Sequence, residues 1–173
     1  MLKEKIQSYT LYSEVKIEES KIVSFNKYDK RSNSFRVYKD GFAGIYFQYG
    51  NVSDEEGFKK AEENLELKRP YEFDLETGKR SRDLTEEILS DAELLSVTKK
   101  ALSYLKRKYP DFIYSGHAAS ITSEYSMTNS KALDYYAKDG YNTISIEYKH
   151  KDSKELMDGY FTTSLRKFKI RTF

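Results

Sequence analysis

Two histidines, His117 and His150, and no cysteine are all that the 173-residue chain offers for imidazole or thiol chemistry. The missing cysteine excludes a disulfide scaffold, a Cys-ligated zinc site, an iron–sulfur cluster and a thiol nucleophile. Neither histidine belongs to an H-E-x-x-H pair, and each falls in a strand-like run, where an imidazole is expected to pack rather than to ligate. No G-x-S-x-G elbow supports a Ser–His–acid triad, and neither a Walker A sequence nor G-x-G-x-x-G is present to cradle a phosphate. The acidic runs Asp54-Glu55-Glu56 and Glu62-Glu63 read as solvated helix faces, with the first placed to favour a helix N-terminus. The basic clusters Lys79-Arg80-Ser81-Arg82 and Lys106-Arg107-Lys108 sit in a chain of net charge +2, with 30 basic and 28 acidic side chains. Without a net basic field or an RNP aromatic pattern, nucleic-acid binding is not expected. These residues predict no catalytic residue, no metal ligand and no cofactor.

What remains for recognition is aromatic. The chain holds 16 Tyr and 10 Phe and no Trp, residues that favour half-buried pleated surfaces. Tyr135 and Tyr136 are adjacent, and adjacent strand residues face opposite ways, so one of the two must leave the core. Exposed Tyr is enriched at binding surfaces, although ordinary sheets also carry Tyr on their wet face.

The elements that must position these groups begin as strands. Leu11, Ser13, Val15 and Ile17 alternate with Tyr12, Glu14, Lys16 and Glu18, the period of a sheet with one buried face. A turn at Glu19-Ser20 leads to a return strand at Lys21-Ile22-Val23-Ser24-Phe25. A third run, Ser34 to Tyr38, is joined by Asp40-Gly41 to a fourth, Phe42 to Tyr49. Asp-Gly between such runs predicts a type I′ hairpin, and Gly44 predicts a bulge or a close backbone approach. Capping boxes at Ser53-Asp54-Glu55-Glu56 and Ser90-Asp91-Ala92-Glu93 open two helices. The second carries an apolar stripe of Leu94, Val97, Ala101 and Leu105, flanked by Leu95, Thr98 and Leu102, and stops at Pro110. Between the helices, Lys68 to Asp83 reads as a surface loop. The final third returns to strands at Ile113–Ser126, Leu133–Ala137, Thr143–His150 and Tyr160–Ser164.

Strands, two helices, then strands predict an α+β fold with a largely antiparallel sheet, the long second helix covering it. One domain over residues 1–173 is the expectation from length. No apolar run approaches the ~20 residues of a membrane span, and the N-terminus has no signal-like apolar core, which points to the cytoplasm and to no membrane partner.

At Ser34-Phe35-Arg36-Val37-Tyr38-Lys39-Asp40-Gly41-Phe42-Ala43-Gly44 the chain resembles the N-terminal domain of the TldD/PmbA family, once labelled modulators of DNA gyrase. That family has a similar V-R-V, D-G, G-F-A hairpin after an opening strand pair, followed by a helix. A second similar block is Glu124-Tyr125-Ser126-Met127-Thr128-Asn129-Ser130-Lys131-Ala132-Leu133-Asp134, where the family carries an N-S-x-G-like step and this chain has Ala132 in place of the glycine. The run from Asp91 to Pro110 fits the helix between the blocks, so element order matches over about residues 10–165.

The resemblance implies a part of a two-subunit cytoplasmic peptidase that trims unfolded peptides, including a microcin precursor and an antitoxin. It places zinc at an H-E-x-x-x-H motif, with a further Cys, in the later region of TldD-like subunits. This chain lacks that motif and ends at Arg171-Thr172-Phe173, where a family member would continue into a catalytic C-terminal domain. It is thus expected to be an excised N-terminal domain, a truncated product or a free-standing relative, with no catalytic residue to carry over. The expected partners are a TldD/PmbA-type subunit or a second copy, with an unfolded peptide as ligand. Contacts are expected at Asn129, Ser130, Tyr135 and Tyr136, where strand edges favour peptide capture. The alternatives are a small hydrolase with scattered residues and a free-standing structural module.

Overall fold

The computed structural model describes residues 1–72, 74–85 and 87–165, so Arg171, Thr172 and Phe173 lie outside the described residues. It is α+β with a mostly antiparallel sheet and two α-helices. The strands are β1 (Leu2–Glu18), β2 (Lys21–Lys39), β3 (Phe42–Tyr49), β4 (Arg69–Pro70), β5 (Gly78–Thr85), β6 (Phe112–Asn129), β7 (Leu133–His150) and β8 (Gly159–Leu165). The helices are α1 (Asp54–Glu63) and α2 (Asp91–Lys108), with a 3-10 turn at Asn64–Leu67. Hydrogen bonding links the strands in the order β4-β3-β2-β1-β6-β7-β5, with β8 also on β7.

Several elements differ from the sequence expectation for a common physical reason. The runs Lys21–Phe25 and Ser34–Tyr38 are one strand, β2, because residues 25–31 are exposed and show no apolar alternation while remaining extended. The first fifty residues therefore hold three strands rather than four. In the same way Leu133–Ala137 and Thr143–His150 are joined into β7 through Lys138 to Asn142. The expected loop at Lys68–Asp83 contains β4 and most of β5, whose Gly78–Asp83 are exposed and charged. An edge strand of that composition carries no hydrophobic period and is protected from pairing with other chains.

Residue contacts divide the chain into two compact units. The first comprises Met1–Thr10, Asp29–Leu84 and Ser123–Lys138. Its hairpin turns at Asp40 and Gly41, both at positive φ (53° and 80°), as a type I′ turn requires. From there β3 pairs β2 in register from Lys39↔Phe42 to Ser32↔Tyr49. Phe35, Val37 and Ala61 are fully buried together, with Phe58 packed edge-on to Phe35. Gly44 permits this close packing, because a Cβ there would collide with the Ala61 carbonyl of α1. Ser53 caps α1 by accepting from Glu56 N at 3.2 Å. The reciprocal half of the expected box is replaced by an ion pair of Glu56 with Lys60, one turn on, at 2.8 Å. A second cluster gathers Tyr38, Ala43 and Leu75, with Leu2 and Tyr71 against it.

The other unit comprises Leu11–Tyr28, Thr85–Thr122 and the described part of Asp139–Phe173. Here the Ser90 box is complete: Ser90 Oγ accepts from Glu93 N at 3.4 Å and the Glu93 carboxylate accepts from Ser90 N at 2.8 Å. Leu94 packs with Val15, Leu89 and Ala118, and Leu102 with Ile17, Tyr114 and Ile146. Asp91 at the start of α2 accepts from Ser13 Oγ and Lys27 Nζ, each at 2.9 Å. Those two bonds, led by the lysine, hold its carboxyl below the ordinary carboxylate range. No helix among the described residues is long and apolar enough to cross a membrane.

Candidate functional site

The β6–β7 turn holds two of the expected contact residues, and both side chains are engaged in building it. Asn129 Oδ1 accepts from Lys131 N at 2.9 Å and Leu133 N at 3.1 Å, while its Nδ2 donates to Glu76 O at 2.9 Å. Ser130 Oγ accepts from Lys3 N at 2.7 Å, and Ser130 N donates to Lys3 O at 2.9 Å. Ala132, standing where the family resemblance implies glycine, takes φ of 61°. The bonds from the Asn129 carboxamide to the residues on either side of Ala132 hold that left-handed backbone without a glycine. Tyr135 and Tyr136 diverge as strand neighbours must. The Tyr135 ring packs edge-on to Tyr125, with centroids 6.0 Å apart, and Tyr136 is 39% exposed.

Tyr136 belongs to a hollow of about 650 Å³ in the first unit, lined by β1, β2, β6 and β7 and by the Asn51-Val52 turn. Strand alternation puts Gln7 and Tyr9 of β1 on one face with Arg31 and Asn33 of β2. Their contacts agree. Gln7 Nε2 donates to Asn33 Oδ1 at 2.8 Å, and the Arg31 guanidinium lies 4.8 Å from the Tyr9 ring centroid. Asn33 is buried and also donates from Nδ2 to Gly50 O at 2.7 Å. Gly50 N in turn donates to Arg31 O at 3.0 Å. The amide of Asn33 thus fixes both the Gln7 side chain and the backbone that bounds the hollow.

On the far side, Glu124 of β6 faces Tyr136 of β7. Partial burial raises the Tyr136 phenol above its ordinary pKa, and the nearby Glu124 carboxylate adds to the shift. A second hollow, lined by Asp29, Lys30, Tyr49 and Gly50, shares Arg31 and Asn51 with the first. The arrangement offers an amide pair, one guanidinium and one carboxylate on a sheet floor. Such a surface can hold a polar extended chain. Of these groups sequence reasoning singled out only Tyr136. Gln7, Tyr9, Arg31, Asn33 and Glu124 lie far apart along the chain and meet only through the strand order β2-β1-β6-β7.

The histidines lie elsewhere. His150 Nδ1 accepts from Asp152 N at 3.2 Å and its ring sits edge-on to Phe112. His117 is half-buried within β6. Among the described residues no group of three or more His, Asp or Glu is placed to hold a metal ion. Of the basic clusters, Lys79 pairs with Asp134 at 3.1 Å and Arg80 with Glu76 at 3.2 Å. Lys108 donates to the Tyr104 hydroxyl at 2.8 Å in the last turn of α2.

No protein-family model and no curated protein matches the sequence. Solved structures do. A protein named as a modulator of DNA gyrase from Thermotoga maritima matches with a TM-score of 0.73 at 20% identity. TldE from Thermococcus kodakarensis matches with 0.70 at 15%, and a second protein named as a modulator of DNA gyrase, from Bacteroides thetaiotaomicron, with 0.70 at 11%. Each match covers 95% of this chain and 40% of the other. The chain thus spans well under half the length of the structures it is similar to, and at these identities the likeness is one of fold. This chain has the fold found in TldE and the gyrase-modulator structures, that of a TldD/PmbA-type domain.

Proposed function

We propose that the chain is a TldD/PmbA-family domain, working in a cytoplasmic peptidase system, that guides an extended peptide without catalysis of its own. The observation that carries this reading is the hollow floored by β1, β2, β6 and β7, with its Gln7–Asn33 amide pair and half-exposed Tyr136. Side-chain amides pair with main-chain amides of any sequence, while a tyrosine ring supplies apolar area with a polar tip. Together they suit a ligand recognised by backbone rather than by one side chain. The placement of Tyr136 in this hollow supports its proposed contact with peptide. Asn129, Ser130 and Tyr135 are proposed to act through the β6–β7 turn that sets where Tyr136 stands. In the other unit, α2 is proposed as a structural cover for the sheet, on the support of Leu94 and Leu102 within the strand clusters.

Docking of a partner subunit is the second reading, and one observation favours it. Phe47 and Tyr49 of β3 are 51% and 71% exposed, with rings edge-on and centroids 5.0 Å apart. Beyond Phe42 and Ala43, which pair with β4, β3 has β2 on one side and no further strand on the other among the described residues. Fluorescence anisotropy with labelled unfolded peptides separates the two readings. Saturable binding that weakens on changing Tyr136 to Ala supports the groove. Binding unaffected by that change but lost in Phe47→Ala with Tyr49→Ala transfers the role to the β3 edge.

A further inference from the structure

We propose that the groove reads a carboxylate on its ligand at Arg31 and a cation toward Glu124, and so fixes the direction in which a peptide lies. This rests on the peptide reading above and adds the chemistry that would select among peptides. The first support is the state of the Arg31 side chain. Its guanidinium carbon lies over the Tyr9 ring, 4.8 Å from the centroid, and its Nε is ion-paired with Asp29 Oδ2 at 3.8 Å, beyond hydrogen-bond length. Among the described residues it makes no side-chain hydrogen bond. A guanidinium over an aromatic ring, with one long ion pair and no side-chain hydrogen bond, keeps N–H donors for a ligand, and its planar edge matches a carboxylate with two parallel hydrogen bonds.

The second support is the position of the opposite charge. Ser8 bonds Ser32 at 2.8 Å and Thr10 bonds Ser123 at 3.1 Å. These pairs set Tyr9 level with Arg31 on β2 and with Glu124 on β6, the two strands that flank β1. At ~4.8 Å per strand, Arg31 and Glu124 stand ~10 Å apart on one face, the reach of about three extended residues at ~3.3 Å each. Gln7 follows on the same face. Its Nε2 is tied to Asn33, which leaves Oε1 as an acceptor for a peptide N–H, one side-chain step along β1 from the line joining the two charges. Glu124 lies close enough to Tyr136 to raise its phenol's pKa, and a carboxylate there has acceptor capacity for an ammonium group. The ligand class is a short extended peptide with a carboxylate at one end and a lysine about three residues before it.

The test measures anisotropy of the full chain with a fluorescein-labelled octapeptide carrying lysine three residues before a free C-terminus. Its C-terminal amide, and an amide whose last residue is glutamate, are the comparison arms. Charge-assisted bonds to Arg31 should make the free acid bind about tenfold tighter than the plain amide. The Arg31→Gln change should erase that difference by weakening the free acid about tenfold more than the amide, and Arg31→Lys should restore part of it. Recovery by the glutamate-ended amide identifies any carboxylate as the ligand group, and its failure identifies the main-chain terminus. Acid and amide binding equally well, or Arg31→Gln weakening both equally, overturns the carboxylate reading and leaves the peptide reading intact. No binding by any of the three peptides overturns both.

Discussion

Asn142 is 2% exposed in β7 and its side chain makes three hydrogen bonds. Its Oδ1 accepts from Leu89 N at 3.1 Å and Ser120 Oγ at 2.9 Å, and its Nδ2 donates to Glu87 O at 2.7 Å. The carboxamide therefore ties the segment entering α2 to β6 and β7. Asn142→Ala leaves a buried N–H, a buried hydroxyl and a carbonyl without this partner. At ~1 kcal/mol per lost bond, rising to ~2 where a group stays dry and unpaired, the expected cost is ~3–6 kcal/mol. That is a large part of the ~5–15 kcal/mol stability of an ordinary domain. Ser120→Ala removes one donor and leaves Leu89 N on the same oxygen, so it should cost ~1 kcal/mol. In the Asn142→Ala background the same change deletes an orphaned hydroxyl and should cost nothing or stabilise slightly. Urea unfolding of the four proteins, followed by circular dichroism, closes this cycle and should return a coupling of ~1–2 kcal/mol. A cost below ~1 kcal/mol for Asn142→Ala, or the same Ser120→Ala cost in both backgrounds, would show that these bonds do not hold the unit together.

Leu102→Ala should cost ~2–5 kcal/mol by opening a cavity among Ile17, Tyr114 and Ile146. Lys99→Ala on the exposed side of α2 should stay within ~0.5 kcal/mol, and equal small effects in a urea titration would remove α2 from the core. The carboxyls of Asp91, Glu93 and Asp158 are all held below their ordinary range by hydrogen bonds to neighbouring groups, led by Lys27, Ser90 and Ser153 respectively. Because the folded pKa is the lower one, their stabilisation is present above the unfolded-state value and is lost as pH falls through the folded value. Stability should thus be level near pH 6 and decline below about pH 4, with a shallower decline in Asp91→Asn. An unchanged acid slope in that variant would contradict the assignment.

What could be read from the sequence was local, and what escaped it was collective. Asp40-Gly41 specifies its own turn because both positions need positive φ, and Ser90 with Glu93 caps α2 through bonds spanning three residues. Val15 and Ile17 alternate visibly because one face of β1 is buried there. Residues 25–31 of β2 and Gly78–Asp83 of β5 carry no such period, since their side chains are solvated and neighbouring strands alone keep them extended. The groove follows the same logic. Tyr136 was legible because two adjacent tyrosines cannot share a face, whereas Arg31 and Glu124 acquire meaning only once β1 lies between them. A usable hint was present in β1, where Gln7 and Tyr9 occupy the odd positions that further along bring Val15 and Ile17 into the core.

The proposed role requires the face carrying Gln7, Arg31 and Tyr136 to bind an extended peptide. Titration of the isotopically labelled chain with the lysine-containing free-acid octapeptide, followed by amide chemical shifts, tests this directly. Peptide bound in this groove should give saturable shifts concentrated at residues 7–9, 31–33, 124–126 and 136, with the β3 edge at Phe47–Tyr49 little changed. Saturable shifts confined to β3, or no shifts at peptide concentrations well above that of the protein, would contradict it.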